Sequence, residues 1–285
     1  MNYKIISMDF DGTLLTSDKQ VTEKTRKTLM ELKEKSYIII GITARILPSV
    51  KNVCDINMFD YLILNNGNSL YDVKNKIGIE MGGLEEKSII KITNYFKDIS
   101  EEIDYYSLDK CYIYKKMILQ TKNYKINISD ITEIKEKIAR INVFFKTNEE
   151  IIKYKDFINC NFDDIDAFEM LHTDNTKGKR WLSINPKNVN KFKTLEKLCL
   201  DLNVNMEEVI FFGDGKNDLP LIGKAGLGVA MGNALNEVKE QAKETTLSND
   251  ENGIAYFLKK RILWRIYMQG GKNDNFKRSK YKWCK

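Results

Sequence analysis

Two carboxylates near the start of the chain lie two residues apart, directly after an apolar run. The run "YKIISM" leads into "DFDGTLL", which contains Asp9 and Asp11. Two acids within reach of one reacting group could divide nucleophilic attack from proton transfer, or could contribute to a metal site. Taken alone, the pattern is equally consistent with an ordinary turn followed by a helix N-cap. Whether these two acids belong to a reactive site or only to a turn therefore depends on residues elsewhere in the chain.

Other polar residues follow apolar runs that we predict to be strands. Thr43 follows "YIIIGI", and Asp214 and Asp218 follow "EVIFF". Open parallel sheets bind ligands beyond the carboxyl ends of their strands, so we expect these side chains at the same edge as the first two acids. Four carboxylates there would repel one another strongly unless a cation lies among them. Ligands that are all oxygen favour a hard ion, and Mg²⁺ is the usual choice beside phosphate.

Alternating strands and helices must position these residues. Apolar strand-like runs alternate with amphipathic stretches such as "VTEKTRKTLMELKEK" over the first 80 residues, and the alternation returns near residue 188. Near-continuous apolar strands separated by helices are typical of a parallel sheet that is covered on both faces. The predicted fold class is therefore α/β, with a Rossmann-like core.

The middle of the chain has a different pattern. Two helices are predicted over "EEKSIIKITNYFKDI" and "ISDITEIKEKIARI", and strands over runs such as "KCYIYKKMILQ" and "RWLSINP". The strands mix polar and apolar residues, which predicts a sheet with one solvated face. We interpret this part as an inserted α+β domain. The predicted division is a discontinuous core over 1–82 and 188–262, a cap domain over 83–187, and a basic tail over 263–285.

Composition and cysteine usage restrict the class of protein. The 285 residues are 42% hydrophobic and 30% charged, and no apolar run approaches the roughly 20 residues of a membrane span. The N-terminus lacks the pattern of a signal peptide. Five scattered cysteines without a CxxC pair indicate free thiols and disfavour a zinc site. We expect a cytoplasmic protein that is a monomer or a weak dimer and does not contact a membrane.

The net charge of +6 comes from the C-terminus. Residues 259–285 contain ten Lys or Arg residues and one acid, which leaves a net charge of −3 for residues 1–258. A basic tail could bind nucleic acid or another acidic surface. We favour the plainer interpretation of a solvated extension, and do not expect nucleic acid to be the partner.

The motifs together resemble the haloacid dehalogenase (HAD) superfamily. The segments "DFDGTLL", "ITAR", a lysine before a helix and "GDGKNDLPLI" occur in the order of that superfamily. The segments "AGLGVAMGNALNEVKEQA" and "SNDENGIAYFL" are similar to its Cof-type phosphatase branch. The resemblance covers residues 3–80 and 181–258. It implies a HAD core with a large α+β cap, of the C2B type, inserted between the second and third motifs.

The resemblance implies a role for each acid. Asp9 would be the nucleophile that forms an aspartyl-phosphate, and Asp11 the general acid and then the base. Mg²⁺ would be held by Asp9, the backbone carbonyl of Asp11 and Asp214, with Asp218 either as a further ligand or as a neighbour that supports the ligands. The ion would let an anionic nucleophile approach an anionic phosphate.

The resemblance also implies a phosphate-binding set. It consists of Thr43 with nearby backbone amides such as that of Ala44, and of Lys191 and Asn217. Two positions depart from the family pattern, because Ala44 and Phe192 stand where glycines are usual. Both changes affect how closely the backbone can approach a phosphate, and neither removes a charged group.

These implications lead to one expected function and two alternatives. The expected function is a Mg²⁺-dependent phosphatase for small phosphorylated metabolites, with sugar phosphates as the first candidates. A sugar phosphomutase could use the same aspartyl-phosphate. A catalytically silent binding protein on the HAD fold is the alternative from another class, and the retained acids and Lys191 argue against it.

Overall fold

The structure of the chain is a computed structural model that describes residues 3–114, 123–170 and 180–270. Its strands are β1 (Ile5–Asp9), β2 (Ile38–Ile42), β3 (Tyr61–Leu64), β4 (Ser69–Asp72), β5 (Ile77–Glu80), β6 (Glu102–Tyr106), β7 (Cys111–Tyr114), β8 (Lys125–Ile128), β9 (Arg140–Phe145), β10 (Ile165–Met170), β11 (Arg180–Pro186), β12 (Val209–Gly213), β13 (Leu227–Ala230) and β14 (Glu244–Thr245). Its helices are α1 (Glu23–Glu34), α2 (Leu47–Lys51), α3 (Glu86–Phe96), α4 (Asn148–Asn161), α5 (Lys191–Asp201), α6 (Leu219–Lys224), α7 (Asn236–Gln241), α8 (Gly253–Leu258) and α9 (Trp264–Gly270).

The chain forms two compact units. Unit one contains Met1–Ile42, Val53–Tyr61 and Cys199–Lys285, and unit two contains Thr43–Asn52 and Leu62–Leu198. These divisions fall at other positions than the limits expected from the sequence, which lay after residues 82 and 187. The assignment of 1–82 with 188–262 to a core and of 83–187 to a cap stays a prediction.

Five parallel strands of unit one lie side by side in the order β14-β13-β12-β1-β2. The strand β1 pairs on one side with β12 and on the other with β2, so that Asp9 lies opposite Ile42. All five residues of β1 and of β12 are buried, as expected for central strands of a parallel sheet. The ends of these central strands position the acids described below.

The helix α1 begins where the sequence pattern predicts. The hydroxyl of Thr22 caps it by accepting a hydrogen bond from the backbone N–H of Thr25 at 3.2 Å. Leu29 and Leu32, three residues apart, are fully buried on its inner face. Elsewhere in unit one, a turn of π-helix over Lys259–Leu263 joins α8 to α9.

Unit two contains the strands β3, β4 and β5, with β4 and β5 as an antiparallel hairpin, and a second sheet of six strands. The order of the second sheet is β10-β11-β9-β6-β7-β8, and its pairs are antiparallel except for β7 with β8. The helices α3 and α4 pack on one face of it. The core cluster there includes Phe96, Ile103, Ile141, Ile158 and Leu182.

Two details of the second sheet differ from the sequence-based expectation. The segment "ISDITEIKEKIARI" was expected to be a helix, but it contains one 3₁₀ turn over Ile131–Glu133 and then the start of β9. The isoleucines that suggested a helical period pack instead into the core of unit two. The polar face of the sheet was expected to be solvated, but its polar residues are buried, with Asp104 only 2% exposed.

The predicted basic tail is described only in part. Residues 263–270 continue the C-terminal helix, with Leu263 buried. Residues 271–285 lie outside the described residues.

The architecture confirms the predicted fold class, an α/β fold with a mostly parallel sheet and a separate part of mixed α and β structure. No helix in the described ranges combines the length and the apolar character that crossing a membrane requires.

Candidate active site

Three carboxylates of unit one converge at the ends of adjacent strands. Asp9 is the last residue of β1, and Asp214 directly follows β12, the strand that pairs with β1. Asp218 follows in a 3₁₀ turn over Lys216–Asp218. One carboxylate oxygen from each of the three lies within 4.8 Å of the others. Parallel pairing thus brings together acids that lie about two hundred positions apart in the sequence.

Asp218 fixes the loop that carries Asp214. It is 1% exposed, and its Oδ2 accepts hydrogen bonds from the backbone N–H groups of Asp214 and Gly215 at 3.2 and 3.3 Å. The backbone carbonyl of Asp214 in turn accepts a hydrogen bond from the N–H of Leu235 at 3.2 Å. The position of Asp214 is therefore set by the hydrogen bonds of its own backbone, one of which goes to the buried Asp218.

The loop after Asp9 closes against Asp214. Gly12 has a φ of +84°, and a Cβ built on it would lie 2.3 Å from Asp214 Oδ2. Only glycine allows this backbone to approach the carboxylate so closely. Thr13 Oγ1 donates a hydrogen bond to the other oxygen, Asp214 Oδ1, at 2.7 Å. Asn233 Nδ2 donates one to the Gly12 carbonyl at 2.8 Å.

The side chain of Asp11 lies on the outside of this loop. It is exposed, and Lys19 Nζ donates a hydrogen bond to its Oδ1 at 2.9 Å. Asp11 is not among the three converging carboxylates. Asp9, by contrast, is 8% exposed. The two acids of "DFDGTLL" therefore occupy different environments, which suits different chemical tasks.

The described acids could hold a divalent cation. Two like charges 4.8 Å apart repel each other by about 3.5 kcal/mol at an effective dielectric constant of 20, and three carboxylates form three such pairs. A cation among them removes this repulsion. The donors are all oxygens, which suits a hard ion such as Mg²⁺. The donor set of Asp9, Asp214 and Asp218 therefore fits the expected ion.

In unit two, Thr43 follows β2 and is 1% exposed. Its Oγ1 accepts a hydrogen bond from the backbone N–H of Arg45 at 3.1 Å. Its carbonyl accepts another from the N–H of Asn66 at 3.1 Å. The half-buried Ala44 lies between Thr43 and Arg45 in the chain. The hydrogen bond from Asn66 therefore fixes the backbone of Thr43 against the turn that follows β3.

The same turn contacts the start of α5, where Lys191 lies. Gly67 has a φ of +104°, and a Cβ there would lie 2.3 Å from the backbone carbon of Asn190. Thr194 Oγ1 donates a hydrogen bond to the Gly67 carbonyl at 2.7 Å. Lys191 is 4% exposed, and a lysine so deeply buried is costly unless it meets an anion. Thr43 and Lys191 are thus both tied to the Asn66–Gly67 turn.

The remaining expected residue, Asn217, is exposed in unit one. Its Oδ1 lies 2.7 Å from the position that a Cβ on Gly215 would take. The structure therefore forms two groups, one of the acids with Asn217 in unit one, and one of Thr43, Ala44 and Lys191 in unit two. Their joint action on one phosphoryl group stays a prediction, as does each assigned role.

Sequence reasoning missed several residues that shape the acid cluster. Thr13, Lys19 and Asn233 each contact the loop around Gly12 or the acids themselves. Thr13 and Asn233 could have been found, because they belong to the quoted segments "DFDGTLL" and "AGLGVAMGNA". The pairing of Lys19 with Asp11 has no such signal, since the two residues lie eight positions apart in the chain and outside any shared helix or strand.

Comparisons with known proteins agree with the motifs and the acid cluster described above. The sequence profile of a family described as "haloacid dehalogenase-like hydrolase" matches residues 6–258. The chain is 27% identical to the "5-amino-6-(5-phospho-D-ribitylamino)uracil phosphatase YitU" of Bacillus subtilis, over 90% of this chain and 96% of that protein. A second phosphatase of the same name and organism, YcsE, is 26% identical over 92% of this chain and 97% of that protein.

Solved structures are similar over the same length. A haloacid dehalogenase-like hydrolase from Bacteroides thetaiotaomicron has a TM-score of 0.78 and 24% identity, covering 91% of this chain and 99% of that one. A protein from Thermotoga maritima has a TM-score of 0.77 and 28% identity, covering 90% and 97%. Together with the profile, these matches confirm the resemblance that the motifs indicated.

Proposed function

Because this chain belongs to the haloacid dehalogenase-like hydrolases, of the Cof type, we propose that it is a Mg²⁺-dependent phosphatase of small phosphorylated metabolites. The observation that supports this most strongly is the convergence of Asp9, Asp214 and Asp218, with Asp11 two residues after the first. The named relatives are phosphatases, which agrees with the proposal.

The proposed reaction has two steps. In the first, a carboxylate oxygen of Asp9 bonds to phosphorus while the bond from phosphorus to the leaving oxygen breaks, and Asp11 gives that oxygen a proton. In the second, Asp11 takes a proton from water as the water oxygen bonds to phosphorus. The bond between phosphorus and Asp9 then breaks, which releases phosphate and restores Asp9. The exposed position of Asp11 suits a group that exchanges protons with substrate and water.

Asp9, Asp214 and Asp218 would hold Mg²⁺, together with the backbone carbonyl of Asp11. When bound, the ion supplies positive charge that offsets repulsion between the anionic nucleophile and the phosphate. Thr13 and Asp218 keep the Asp214 carboxylate and its loop in place. Gly12 allows the chain to pass close to that carboxylate.

Four further residues complete the proposed site. The backbone around Thr43 and Ala44, with the Thr43 hydroxyl, would donate hydrogen bonds to the phosphate. Lys191, at the N-terminus of the eleven-residue helix α5, would add a positive charge to the favourable helix dipole. Asn217 would donate a hydrogen bond from its exposed amide.

The names of two relatives support a substrate class. Two relatives are named for a phosphate ester of a ribityl chain, and we propose sugar and sugar-alcohol phosphates for this chain. The four cysteines in the described residues form no disulfide bond, which suits the reducing cytoplasm. We propose that the enzyme acts there as a monomer or weak dimer.

Phosphate release from a panel of phosphomonoesters, with Mg²⁺ present, tests this function. The Asp9→Asn variant should lose at least about a thousandfold in kcat, because it lacks the attacking oxygen anion. Asp18→Asn makes the same chemical change at an exposed acid nearby and should keep wild-type activity. Comparable phosphate release by Asp9→Asn and wild type would exclude Asp9 as the nucleophile. Isomerisation of sugar phosphates without net phosphate release would indicate a mutase instead.

A further inference from the structure

The last described helix of unit one is anchored to the sheet by its inner side. It runs from α8 through the π turn to α9, over residues 253–270. Ile254, Leu258 and Ile262 are buried on this side. Phe257 packs edge-to-face on Phe212 of β12, with 5.5 Å between the ring centroids. The helix is therefore a fixed part of unit one.

The outer side of the same helix carries apolar and basic residues together. Tyr256, Trp264 and Met268 are 40%, 46% and 51% exposed, and Lys260 and Arg265 are exposed between them. We call these five residues the outer face. Four of them follow one another at intervals of four positions. The π turn keeps such positions closer to one line than a regular α-helix would, because it takes more residues per turn.

The apolar residues of the outer face are more than the helix needs for packing within unit one. A surface helix normally combines one apolar side with a polar opposite side, and single exposed apolar residues are common. Here three large apolar side chains lie along one helix, over about 18 Å at 1.5 Å per residue. Contiguous exposed apolar surface of this kind is typical of sites that meet a partner or a membrane.

The charge of this part of the chain is entirely positive. The sequence from 252 to 273 contains no acidic residue, and residues 259–265 include four Lys or Arg residues. One of the four, Arg261, lies beside the outer face and donates a hydrogen bond from Nε to Glu244 Oε2 at 3.0 Å. The outer face itself contributes two of the others, Lys260 and Arg265. It therefore combines apolar surface with net positive charge.

The sequence beyond the helix continues the same composition. Residues 271–285, which lie outside the described residues, include six Lys or Arg residues, one acid and three aromatic residues. The aromatic residues lie among the basic ones in "FKRSKYKWCK". Because like charges repel, this segment is a poor candidate for covering the outer face. Its composition instead extends the combination of aromatic and basic residues that the outer face presents.

The charges decide between the surfaces that could cover the outer face. A second copy in a symmetric contact would bring the same basic residues against it, and like charges would oppose the pairing. A nucleic acid would pair with the basic residues and could stack on Trp264, but it would leave Met268 in water. An anionic lipid surface satisfies both kinds of residue, because its headgroups attract cations and its acyl boundary accepts apolar side chains.

From these observations we propose that the outer face binds the surface of a bilayer that contains anionic phospholipids. Lys260 and Arg265 contact the headgroups, and the three apolar residues of the face reach the acyl boundary. The helix lies on the surface and does not cross the bilayer, because basic residues interrupt its outer side. This binding does not depend on the phosphatase function proposed above. It departs from the expectation, based on the lack of a membrane-spanning run, that the protein does not contact a membrane.

Sedimentation of the full-length protein with lipid vesicles tests this binding. At an ionic strength of about 0.1 M, we expect the partition coefficient for phosphatidylglycerol vesicles to exceed that for phosphatidylcholine vesicles at least about tenfold. The reason is that each Lys or Arg near an anionic surface contributes about fivefold. Salt at about 1 M should reduce this preference to less than about threefold, because it screens the charges. Equal binding to both kinds of vesicle, or binding to neither, would overturn the proposal.

A double variant, Lys260→Glu with Arg265→Glu, tests the outer face itself. It should bind phosphatidylglycerol vesicles at least about twentyfold more weakly than wild type. The matched control, Lys74→Glu with Lys224→Glu, makes the same change in net charge at two exposed lysines elsewhere and should bind within about threefold of wild type. Equal losses in both double variants would show that net charge alone is responsible. Wild-type binding by the first would assign binding to residues beyond 270. Either result would overturn the role of the outer face.

The Trp264→Ala variant tests the apolar part of the outer face. It should weaken binding to phosphatidylglycerol vesicles at least about threefold, because it removes apolar surface that enters the acyl boundary. The matched control is Phe168→Ala on β10, an aromatic residue of similar exposure at 52%, which should bind as wild type does. Equal effects of the two variants would refute the contact of Trp264 with the bilayer.

Two further outcomes would assign the outer face to a different partner and overturn the proposal. One is tighter binding to an oligonucleotide than to vesicles at equal phosphate concentration. The other is a wild-type dimer in analytical ultracentrifugation that becomes a monomer in Trp264→Ala, without any binding to vesicles. Phosphate release in the absence of vesicles should be the same in all of these variants as in wild type, which also shows that they are folded.

Discussion

Replacing Gly12 by alanine tests how closely the loop must approach the metal site. The new Cβ would lie 2.3 Å from Asp214 Oδ2, and real Cβ atoms essentially never come closer than 3.0 Å to such a neighbour. The carboxylate or the loop must therefore move by at least 0.7 Å. Alanine at a φ of +84° adds a backbone cost of about 1 kcal/mol.

The displacement should weaken Mg²⁺ binding more than it weakens the fold. Changes to groups that orient a metal ligand typically reduce metal affinity 10- to 100-fold, and Asp214 is here pushed out of place directly. We therefore expect the Kd for Mg²⁺ to rise about 10- to 100-fold in Gly12→Ala, which corresponds to about 1.4 to 2.8 kcal/mol. Phosphate release at limiting Mg²⁺ should fall by a similar factor.

Thermal unfolding across a Mg²⁺ titration measures this affinity without relying on activity, because a ligand of the native state stabilises it by RT ln(1 + [L]/Kd) and so raises Tm by an amount that depends on Kd. The matched control is Gly223→Ala on the exposed side of α6, where a Cβ meets nothing within 4 Å. The control should gain up to about 1 kcal/mol in stability and bind Mg²⁺ as wild type does. A folded Gly12→Ala protein with a Kd within twofold of wild type would refute the proposed role of Asp214.

Three further predictions follow from other parts of the structure. EDTA should abolish phosphate release and added Mg²⁺ should restore it, whereas full activity in EDTA would exclude a metal-dependent reaction. Gly67→Ala should lower the free energy of unfolding by at least about 2 kcal/mol relative to Gly223→Ala, because its Cβ would lie 2.3 Å from backbone atoms of Asn190; urea denaturation measures this, and an unchanged midpoint would contradict it. Burial raises the pKa of the Cys111 thiol, so iodoacetamide at pH 8 should alkylate the exposed Cys160 well before Cys111, and peptide mass spectrometry showing equal rates would contradict the buried environment.

The convergence of the three acids follows from sequence because simple rules connect them. Apolar runs mark β1 and β12 as buried strands, parallel pairing places their ends side by side, and an acid lies at the end of β1 and directly after β12. No contact of an individual side chain is needed for this argument. The catalytic role of each acid still depends on the experiments described above.

The helix expected over residues 128–141 shows where such rules fail. Isoleucines at positions 128, 131, 134, 138 and 141 have the spacing of one helix face. Pairing of β9 with both β6 and β11 outweighs this local pattern, and β-branched residues fit a strand well. Local periodicity could not reveal the partners that decide the structure.

The sequence indicates that the second sheet has one polar side, but not that this side is buried. The alternation in "EIDYY" and "RINVFF" indicates one polar and one apolar side. Whether the polar side meets water or is covered depends on contacts that no alternation records. The 2% exposure of Asp104 thus became visible only in the structure.

Trapping the covalent intermediate identifies the residue that attacks phosphorus. The enzyme is mixed with Mg²⁺ and a hydrolysed phosphomonoester, quenched in acid and treated with borohydride, which reduces an aspartyl-phosphate to homoserine. Tandem mass spectrometry then examines the tryptic peptide of residues 5–19, which contains both Asp9 and Asp11. We expect homoserine at position 9 in the wild type and none in Asp9→Asn. Rapid turnover with homoserine at position 11, or with none in this peptide, would contradict Asp9 as the nucleophile.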